Sequence, residues 1–537
     1  MGTVEHPRIR PGILDSRRYQ ETIAAAAIER HTLVVLPTGL GKTAIALRVI
    51  AEHLRRHPTR SVLFLAPTRP LVVQHAKSVS DTLLAPTPLV LTGTISPERR
   101  QALLKPPQVI VATPQVIGND LAHHEFPLES LSLLVVDEAH RAVGDYPYVA
   151  IGRANSEGPR ARVLAMTASP GSRKERIRAV WANLGIEHVE YRTTDAPDVL
   201  PYVHGIGVES IEVTVPAEVQ HLATLVRTAV ARQVDPLVSA HLLPAGSSGK
   251  RDLLTLGERL HREVAASKRS SDGARPGLWA AVTAQAAAMK GLHALELVET
   301  QGVESFRAYL ERQAELRPSP AQRAFLHDPD IVEARQRLRG LSLEHPKIEK
   351  AVELATDQIA RAPDSRVIVF TQYRQTAERL VEELGRRAGV SVRAARFVGQ
   401  ASHGEDLGMS QKDQGEILDR FRDGRINVLV ATSVAEEGLD VPSTDLVVFY
   451  EPVPDVIRSI QRRGRTGRAR EGRVVVLVAG ATRDVGLFRS AKGKERRMHE
   501  MLEEVEAESR SGSVRPPRPD LVQRSLLEEY PAPGRSD

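Results

Sequence analysis

One pattern of apolar and polar positions repeats along the chain to about Leu200. A short apolar run is followed by a polar turn and then by a stretch with helical spacing, as from Thr32 to Leu54 (TLVVL, PTGLGKT, AIALRVIAEHL). Buried parallel strands read as continuous apolar runs, and crossover helices separate them along the chain. The repeat therefore predicts an α/β domain built on a parallel sheet.

The pattern changes after this first domain. From Ala217 to about Gly340 the chain is rich in Leu, Ala and Arg with helical periodicity, and strand and helix signals then alternate again. We expect an α/β protein with two parallel-sheet domains and an all-helical insert between them. The predicted boundaries are 1–204 for the first domain, 205–342 for the insert, 343–490 for the second domain and 491–537 for a charged helix and flexible tail.

Composition narrows the class of protein. The chain has 537 residues, of which 41% are hydrophobic and 26% charged, and it has no Cys. No apolar run reaches the roughly 20 residues that cross a bilayer, and the N-terminus lacks the apolar core of a signal peptide. We therefore expect a cytoplasmic protein without membrane contact or disulfides. The net charge of +6 favours a polyanionic partner only weakly. The insert is only mildly positive, so it either binds nucleic acid or merely spaces the domains.

The segment LPTGLGKT, Leu36 to Thr43, lies between an apolar strand and a helix. Gly39 and Gly41 have no side chains, so backbone N–H groups can converge there on phosphate oxygens. Lys42 can reach the outer phosphates, and the Thr43 hydroxyl can ligate Mg²⁺. Leu36 stands where the full motif has its first Gly, which leaves a chance glycine turn as the alternative. The predicted nucleotide-binding residues of this loop are Pro37, Thr38, Gly39, Leu40, Gly41, Lys42 and Thr43.

Two acids follow the apolar run of SLLVVDEAHRAV (Ser132–Val143). Asp137 can hold Mg²⁺ through water, and Glu138 can act as general base on the attacking water. Beside a phosphate loop, a pair of merely solvated acids is the weaker interpretation. Gln20, one loop before the phosphate strand, has an amide that can read the edges of adenine, although a lone Gln at a helix start means little.

Polar residues follow several other predicted strands. A hydroxyl and a guanidinium suit a phosphate backbone, which makes Thr68 and Arg69 candidate contacts, and the same reasoning applies to Thr113. Thr167 and Ser169 end another strand, where hydroxyls can relay between a nucleotide and a polymer site. The alternative for each is a solvated or capped turn. In the second domain, Thr371 and Thr432 occupy comparable positions.

The second domain has no phosphate loop but carries SIQRRGRTGRAREG (Ser459–Gly472). Its glycines would let several Arg side chains converge on one point. An Arg supplied across a cleft can stabilise the charge that spreads over a phosphoryl group during transfer. A solvated basic face is the alternative. The arginines concerned are Arg462, Arg463, Arg465, Arg468 and Arg470.

In their order along the chain these motifs resemble those of superfamily 2 helicases of the DEAH-box type. The matching segments are YQ, LPTGLGKT, APTRPL, VATPQV, DEAH, TAS, VFTQY, VATSVAEEGLD and QRRGRTGR. Over about residues 8–490 the chain resembles the archaeal Hef and FANCM-like branch in particular. This resemblance rests on the helical insert and on the sequences LPTGLGKT, APTRPLVVQH, LTGTISPERR and VVDEAHRAVGDYPY. The resemblance implies two RecA-like domains.

The resemblance also implies roles for individual residues. Gln20 would recognise adenine, and Lys42 and Thr43 would hold phosphate and Mg²⁺. Asp137 would bind the metal ion, and Glu138 would act on the attacking water. His140, with Thr167 and Ser169, would couple the two sites. The remaining implied residues are Gly438 and Asp440 near the ribose, Gln461 near the γ-phosphate, Arg465 and Arg468 as arginine fingers, and Thr68, Arg69, Thr113, Thr371 and Thr432 along one DNA strand.

By this resemblance we expect an ATP hydrolase that unwinds or branch-migrates forked and Holliday-type DNA, with 3′ to 5′ polarity, in replication-fork repair. ATP and Mg²⁺ are the implied cofactors. We expect a monomer, with replication or repair proteins such as a sliding clamp as candidate partners. Fewer than fifty residues follow the motor and no E-R-K-x-x-x-D signature is found, so we expect no nuclease activity. The alternatives are a double-stranded-RNA-stimulated ATPase of RIG-I or Dicer type and a non-catalytic scaffold for branched DNA.

Overall fold

The computed structural model describes residues 2–105, 107–158, 161–171, 173–203, 206–246, 249–267, 277–317, 319–387, 391–399, 408–432, 442–453 and 472–511. The described helices, α1 to α17 in chain order, are Arg18–Glu29, Lys42–Arg56, Arg69–Thr82, Pro97–Leu103, Pro114–Ala122, Pro147–Glu157, Lys174–Leu184, Ala217–Ser239, Lys250–Ser267, Leu278–Thr300, Val303–Glu315, Pro320–Leu326, Pro329–Leu338, Pro346–Arg361, Arg374–Arg387, Gln411–Arg422 and Arg483–Ser511. The described strands, β1 to β13, are Thr32–Val35, Ser61–Leu65, Leu89–Leu91, Val109–Ala112, Leu131–Val136, Arg162–Thr167, His188–Tyr191, Ile206–Val213, Val367–Phe370, Ala394–Phe397, Val428–Ala431, Leu446–Phe449 and Gly472–Ala479.

The first domain is built on a parallel sheet of seven strands in the order β3-β4-β2-β5-β6-β1-β7. Strands β1, β2 and β5 are buried along their whole length because helices cover both faces of the sheet. One face packs against α2 through residues such as Ile45 and Val49, and the other packs against α6 and α7 through Tyr148 and Trp181. The continuous apolar runs of the sequence are these doubly covered strands.

The second sheet has six parallel strands in the order β10-β11-β9-β12-β13-β8. Counted from its own first strand, this is 3-4-2-5-6-1, which is also the order of the first six strands of the first sheet. The prediction that the insert begins at residue 205 is therefore corrected. Strand β8 belongs to the second sheet, where it pairs with β13 from Ile206↔Gly472 to Val213↔Ala479. Its alternating pattern reflects its position at the sheet edge.

The insert is all-helical, as predicted, and consists of α8 to α13. Its core is apolar and includes Val226, Phe306 and Phe325. Two residues of the second domain, Ala479 and Tyr373, pack into or against the same cluster. The insert is therefore joined to the second domain by both chain connectivity and apolar packing.

The last described helix, α17, starts in the second domain and ends on the first. Met498, Leu502 and Val505 are fully buried in the apolar cluster that covers one face of the first sheet. The charged helix predicted after residue 491 begins earlier than expected, at Arg483, and it is docked on the first domain. Residues 512–537, predicted as a flexible tail, lie outside the described part of the chain. None of the described helices has the length and apolar character needed to cross a membrane.

Candidate ATP site and nucleic-acid track

The phosphate loop lies at the carboxyl end of β1. Gly39 and Gly41 have φ of +92° and +78°, a region that glycine enters without steric cost. A Cβ at Gly41 would lie 2.4 Å from Gln20 Nε2. Helix α2 begins at Lys42, so the N–H groups of its first turn and its partial positive charge face the loop. Lys42 Nζ donates to the carbonyl of Leu36 at 3.0 Å, which keeps the ammonium at the loop.

Gln20 lies against the phosphate loop, as its predicted role requires. Its buried amide Nε2 donates to the carbonyl of Leu40 at 3.1 Å and to the Tyr19 hydroxyl at 3.2 Å. The Tyr19 hydroxyl donates to the same carbonyl at 2.7 Å. The Oε1 atom of this amide is a hydrogen-bond acceptor that suits the exocyclic amine of adenine. Recognition of the base would therefore act directly on the loop that holds the phosphates.

Asp137 is buried at the carboxyl end of β5. Its Oδ2 atom lies 2.9 Å from His75 Nε2, and Tyr148 donates its hydroxyl to the Asp137 carbonyl at 2.8 Å. Burial raises the pKa of Asp137, but the His75 hydrogen bond and the charges of His75 and Lys42 outweigh it. The net pKa of Asp137 lies below its usual value, so the carboxylate stays ionised, as a metal ligand must be.

Glu138 has a left-handed backbone, with φ of +49°, which is unusual for a residue with a side chain. Such strain is concentrated at functional sites. Its buried Oε2 atom accepts no hydrogen bond from any described residue and lies 3.3 Å from His140 Nδ1. His140 Nδ1 is itself 3.1 Å from the Thr167 hydroxyl. A buried carboxylate oxygen without a donor is poised to accept a proton from water.

Thr167 and Ser169 lie between the phosphate loop and the two acids because β6 lies between β1 and β5 in the sheet. The backbone N–H of Leu36 donates to the Thr167 carbonyl at 3.1 Å. The Thr167 hydroxyl donates to the Ser169 carbonyl at 3.0 Å. Hydrogen bonds therefore run from the phosphate loop through Thr167 to His140 at the acids.

The candidate strand contacts of the first domain lie at the tips of two neighbouring strands, β2 and β4. Thr68 and Thr113 are the residues immediately before α3 and α5, and neither side chain caps its helix. The buried Thr68 hydroxyl has no hydrogen-bond partner among the described residues. Arg69 is exposed in the first turn of α3. Two helix N-termini, a hydroxyl and a guanidinium at one sheet edge can bind successive phosphates.

The candidate contacts of the second domain, Thr371 and Thr432, lie at the tips of β9 and β11, which are the equivalent strands of the second sheet. The Thr371 N–H donates to the Ala431 carbonyl at 3.0 Å, and the Thr432 N–H donates to the Phe397 carbonyl at 3.0 Å. Both side chains are buried. The other predicted residues of this domain lie outside the described part of the chain: Gly438, Asp440, Gln461, Arg465 and Arg468.

Sequence reasoning missed His75 and Tyr148, the two side chains that hold Asp137 in place. The signal for His75 was present in the spacing of α3, where Val72, His75 and Val79 share the inward face of the helix. A polar residue on an apolar face needs a buried partner, and Asp137 is that partner. Tyr148 gave no comparable signal, because an inward tyrosine on a helix is an ordinary core residue.

The residues present fit a nucleoside triphosphate with Mg²⁺. The glycine loop leaves room where a Cβ at Gly41 would clash, and the adjoining helix starts with Lys42 and Thr43. The ionised Asp137 supplies the hard oxygen ligand that Mg²⁺ prefers. Glu138 offers a buried oxygen without a hydrogen-bond donor among the described residues.

Three family profiles match the chain in order. "DEAD/DEAH box helicase" matches residues 17–177, "Putative ATP-dependent RNA helicase, helical bundle" matches 218–338, and "Helicase conserved C-terminal domain" matches 347–470. The matches follow the first domain, the insert and the second domain.

Curated relatives extend over most of the chain. A protein of Methanocaldococcus jannaschii named "Putative ATP-dependent RNA helicase" is 38% identical over 94% of this chain and 62% of its own length. The "DEAD-box ATP-dependent RNA helicase FANCM" of Arabidopsis thaliana is 34% identical over 91% of this chain and 37% of its own length. The "ATP-dependent DNA helicase mph1" of Neurospora crassa is 34% identical over 90% of this chain and 43% of its own length. The chain thus spans less than two thirds of these relatives.

A solved structure matches over its whole length. The crystal structure of the Pyrococcus furiosus Hef helicase domain is similar with a TM-score of 0.69 and 43% identity, covering 90% of this chain and 100% of that one. The chain therefore belongs to the Hef- and FANCM-like branch of the superfamily 2 helicases.

Proposed function

We propose that the chain is an ATP-dependent DNA helicase or translocase that unwinds or branch-migrates forked and Holliday-type DNA in replication-fork repair. The observation that carries this proposal is the continuous set of contacts from the phosphate loop through Thr167 and His140 to the acids at β5. Such contacts suit a site that must link nucleotide hydrolysis to movement. The naming of the Neurospora crassa relative as an ATP-dependent DNA helicase supports DNA as the polymer.

The first domain would bind ATP and supply the hydrolytic groups. Gln20 would accept a hydrogen bond from the adenine amine, and the loop Pro37–Thr43 would surround the phosphates, with Lys42 at the outer oxygens. Glu138 would orient water and accept its proton. Mg²⁺, held by Asp137 and Thr43, would neutralise charge on the β- and γ-oxygens. The chain's own residues would therefore do mainly positioning and electrostatic work.

The second domain would complete the site from across the cleft. By family resemblance, Arg465 and Arg468 would meet the γ-phosphate as arginine fingers, Gln461 would lie near it, and Gly438 and Asp440 would lie near the ribose. ATP would close the cleft and hydrolysis would reopen it. The ends of the strands in the two sheets carry the candidate DNA contacts, Thr68 and Thr113 in the first domain and Thr371 and Thr432 in the second. Each ATP cycle would move one set relative to the other and advance the protein one step along a DNA strand, with 3′ to 5′ polarity.

The insert would hold the duplex arm of the fork. It packs against the second domain and joins it directly through β8, so it would move with that domain. A body attached on one side of the cleft can grip duplex while the tips of both sheets advance on a single strand.

Strand displacement on a labelled fork tests the proposal. We expect ATP- and Mg²⁺-dependent separation or branch migration by the purified chain, with none by a Glu138→Gln variant that still binds ATP. A 3′ single-stranded tail should support displacement and a 5′ tail should not. Fork binding without ATP-dependent strand movement would instead identify a scaffold.

A second candidate is an ATPase that responds to double-stranded RNA. The observation that favours it is the naming of two relatives, from M. jannaschii and A. thaliana, as RNA helicases. ATP turnover that rises with double-stranded RNA and not with any DNA would select this function.

A further inference from the structure

Helix α17 is anchored at its start to the second domain and the insert. Asp484 accepts a hydrogen bond from Lys347 Nζ, and both side chains are fully buried. The Ala479 N–H donates to the same Asp484 oxygen at 3.1 Å. Arg483 pairs with Glu296 of the insert at 2.8 Å, and its backbone N–H donates to Glu299 at 3.3 Å. The first turn of the helix is therefore tied to two parts of the molecule at once.

The other half of α17 covers the open edge of the first sheet. β7 is the last strand of that sheet, so alternate N–H groups point away from β1 and need other acceptors. The Val189 N–H donates to the Ser509 hydroxyl at 3.2 Å, and the Tyr191 N–H donates to Glu506 at 3.1 Å. The helix thus takes the place of a further strand at this edge.

Charge distribution along α17 matches this docking. The half on the first domain is acidic, and its carboxylates meet basic side chains there. Lys174 pairs with Glu508 at 3.2 Å and also with Glu504, while Arg192 pairs with Glu506 at 3.2 Å. Several partly buried ion pairs together fix the helix on the first domain better than isolated surface pairs would.

Between the two anchors, one residue of α17 touches the coupling segment of the ATP site. The Ser169 hydroxyl donates to Met498 Sδ at 2.9 Å, and both residues are fully buried. The same hydroxyl accepts from the Gly171 N–H at 3.4 Å. Ser169 is joined to Thr167 by two hydrogen bonds, and Thr167 leads to His140 and Glu138. Met498 therefore contacts Ser169, which lies two residues after Thr167, the residue that links the phosphate loop to His140.

We propose that α17 is a strut that transmits the position of the second domain and insert to Ser169, with Met498 as the positioning residue. The strut is attached at Arg483 and Asp484 on one side of the cleft and at β7 on the other. Movement of the second domain tilts or shifts the helix and displaces Met498 against Ser169. That displacement reorients Thr167 and His140, so hydrolysis responds to closure and to nucleic acid. The response to nucleic acid rests on the proposed function, whereas the mechanical link does not.

Hydrogen exchange tests the mechanical link without nucleotide or nucleic acid. Arg483→Ala releases the start of the strut from Glu296 in the insert and should speed exchange of the Ser169 and Gly171 amides in the first domain by roughly tenfold. The matched control is Arg489→Ala, an exposed position on the same helix with no carboxylate of a described residue within ion-pair distance. Exchange at residues 167–171 that is equal in both variants and in the unaltered chain would overturn the strut.

ATP turnover tests the positioning role. Met498→Leu keeps the volume but removes the sulfur acceptor. We expect the ratio of fork-stimulated to basal kcat to fall on the order of fivefold, with KM for ATP within about twofold, and no further fall when Ser169→Ala is added. Leu502→Met, one turn further along the same buried face, is the control and should keep the ratio. An equal ratio in both variants, or additive losses with Ser169→Ala, would overturn the role of Met498.

The two measurements separate the proposals. One outcome is that no DNA changes ATP turnover by the unaltered chain, while Arg483→Ala still speeds amide exchange at residues 167–171. In that case the proposed function is wrong and the strut stands. If DNA stimulates turnover but neither Arg483→Ala nor Met498→Leu differs from its control, the function stands and the strut is wrong.

Discussion

The second sheet has the same strand order as six of the seven strands of the first sheet, but the residues that follow the first strand differ between the two. In the first sheet, β1 leads into the phosphate loop and α2. In the second sheet, β8 occupies the equivalent place and leads into the helical insert. One topological position thus serves nucleotide binding in one domain and carries a separate domain in the other. The fold supplies the position, and the residues after the strand decide its use.

The fifth strands make the same contrast. Two residues past β5 stands Glu138, strained and without a hydrogen-bond donor to its Oε2 among the described residues. Two residues past β12 stands Glu451, which accepts a hydrogen bond from the Gln372 N–H. One oxygen of Glu451 therefore braces a loop by accepting from the backbone, and Glu138 differs from it in its left-handed backbone and its place in the domain that carries the phosphate loop. We propose that Glu138 acts in hydrolysis and that Glu451 supports its loop.

The largest effect should come from the phosphate loop. Lys42→Ala removes the ammonium proposed to contact the outer phosphates and should lower kcat for ATP by about 10³-fold. Thr214→Ala, just after β8 at the equivalent place in the second sheet, should leave turnover unchanged. Steady-state phosphate release measures both. Comparable losses of turnover in the two variants would contradict the proposal that only the first sheet binds the nucleotide.

The acid pair gives the next test. Glu138→Gln removes the proposed general base and should lower kcat by about 10²-fold or more while ATP still binds. Glu451→Gln keeps an oxygen acceptor for Gln372 and should stay within about threefold of the unaltered chain. A fluorescent ATP analogue measures binding separately from turnover. Unchanged hydrolysis by Glu138→Gln would remove this residue from the mechanism.

The insert should matter for DNA more than for ATP. Replacing residues 217–340 by a short Gly/Ser linker should weaken fork binding by about tenfold or more, because the element proposed to hold the duplex arm is lost, with its phosphate contacts. Basal turnover should change by no more than about threefold. Fluorescence anisotropy of a labelled fork gives the binding constant. Equal losses of both would make the insert a structural spacer.

Adenine recognition should have a smaller effect. Gln20→Ala removes the amide that joins α1 to the phosphate loop, so KM for ATP should rise by roughly fivefold and the preference for ATP over GTP should fall. Tyr19→Phe removes only the hydroxyl bonded to Leu40 and should keep the nucleotide preference. Retained discrimination in Gln20→Ala would place base recognition elsewhere.

The smallest predicted effect concerns pH. Burial, with the positive charges of His57, Arg162 and Arg56, lowers the pKa of His53 from 6.5 to about 4. The unfolded chain takes up this proton first, so stability falls as pH drops from about 6.5 towards 4. Between about pH 7.5 and 5.5 the loss should be about 1 kcal/mol. His53→Leu should remove that part of the pH dependence of urea unfolding, and an unchanged slope would contradict the assignment.

The sequence predicted much of this architecture because buried parallel strands are continuous apolar runs and phosphate loops have a fixed spacing. The two sheets, the helical insert and the placement of Lys42, Asp137 and Glu138 at strand ends follow from such local signals. The roles of the individual site residues remain predictions.

Local sequence patterns did not predict the contacts between residues that are far apart in the chain. Strand β8 looked like the start of the insert because its partner, β13, lies more than 250 residues later. Likewise, nothing near Met498 indicates that it meets Ser169, since an apolar stripe on a helix does not name the surface it covers. His75 could have been found from its inward position on α3, but its carboxylate partner could not.

The most direct test of the central claim is ATP turnover by the purified chain without polymer and then with single-stranded DNA, forked DNA, four-way junctions and double-stranded RNA, with Lys42→Ala alongside to exclude a contaminating ATPase. We predict strong stimulation by forks or four-way junctions and none by double-stranded RNA. Stimulation by RNA alone would contradict the account and make the helical insert an RNA-binding element.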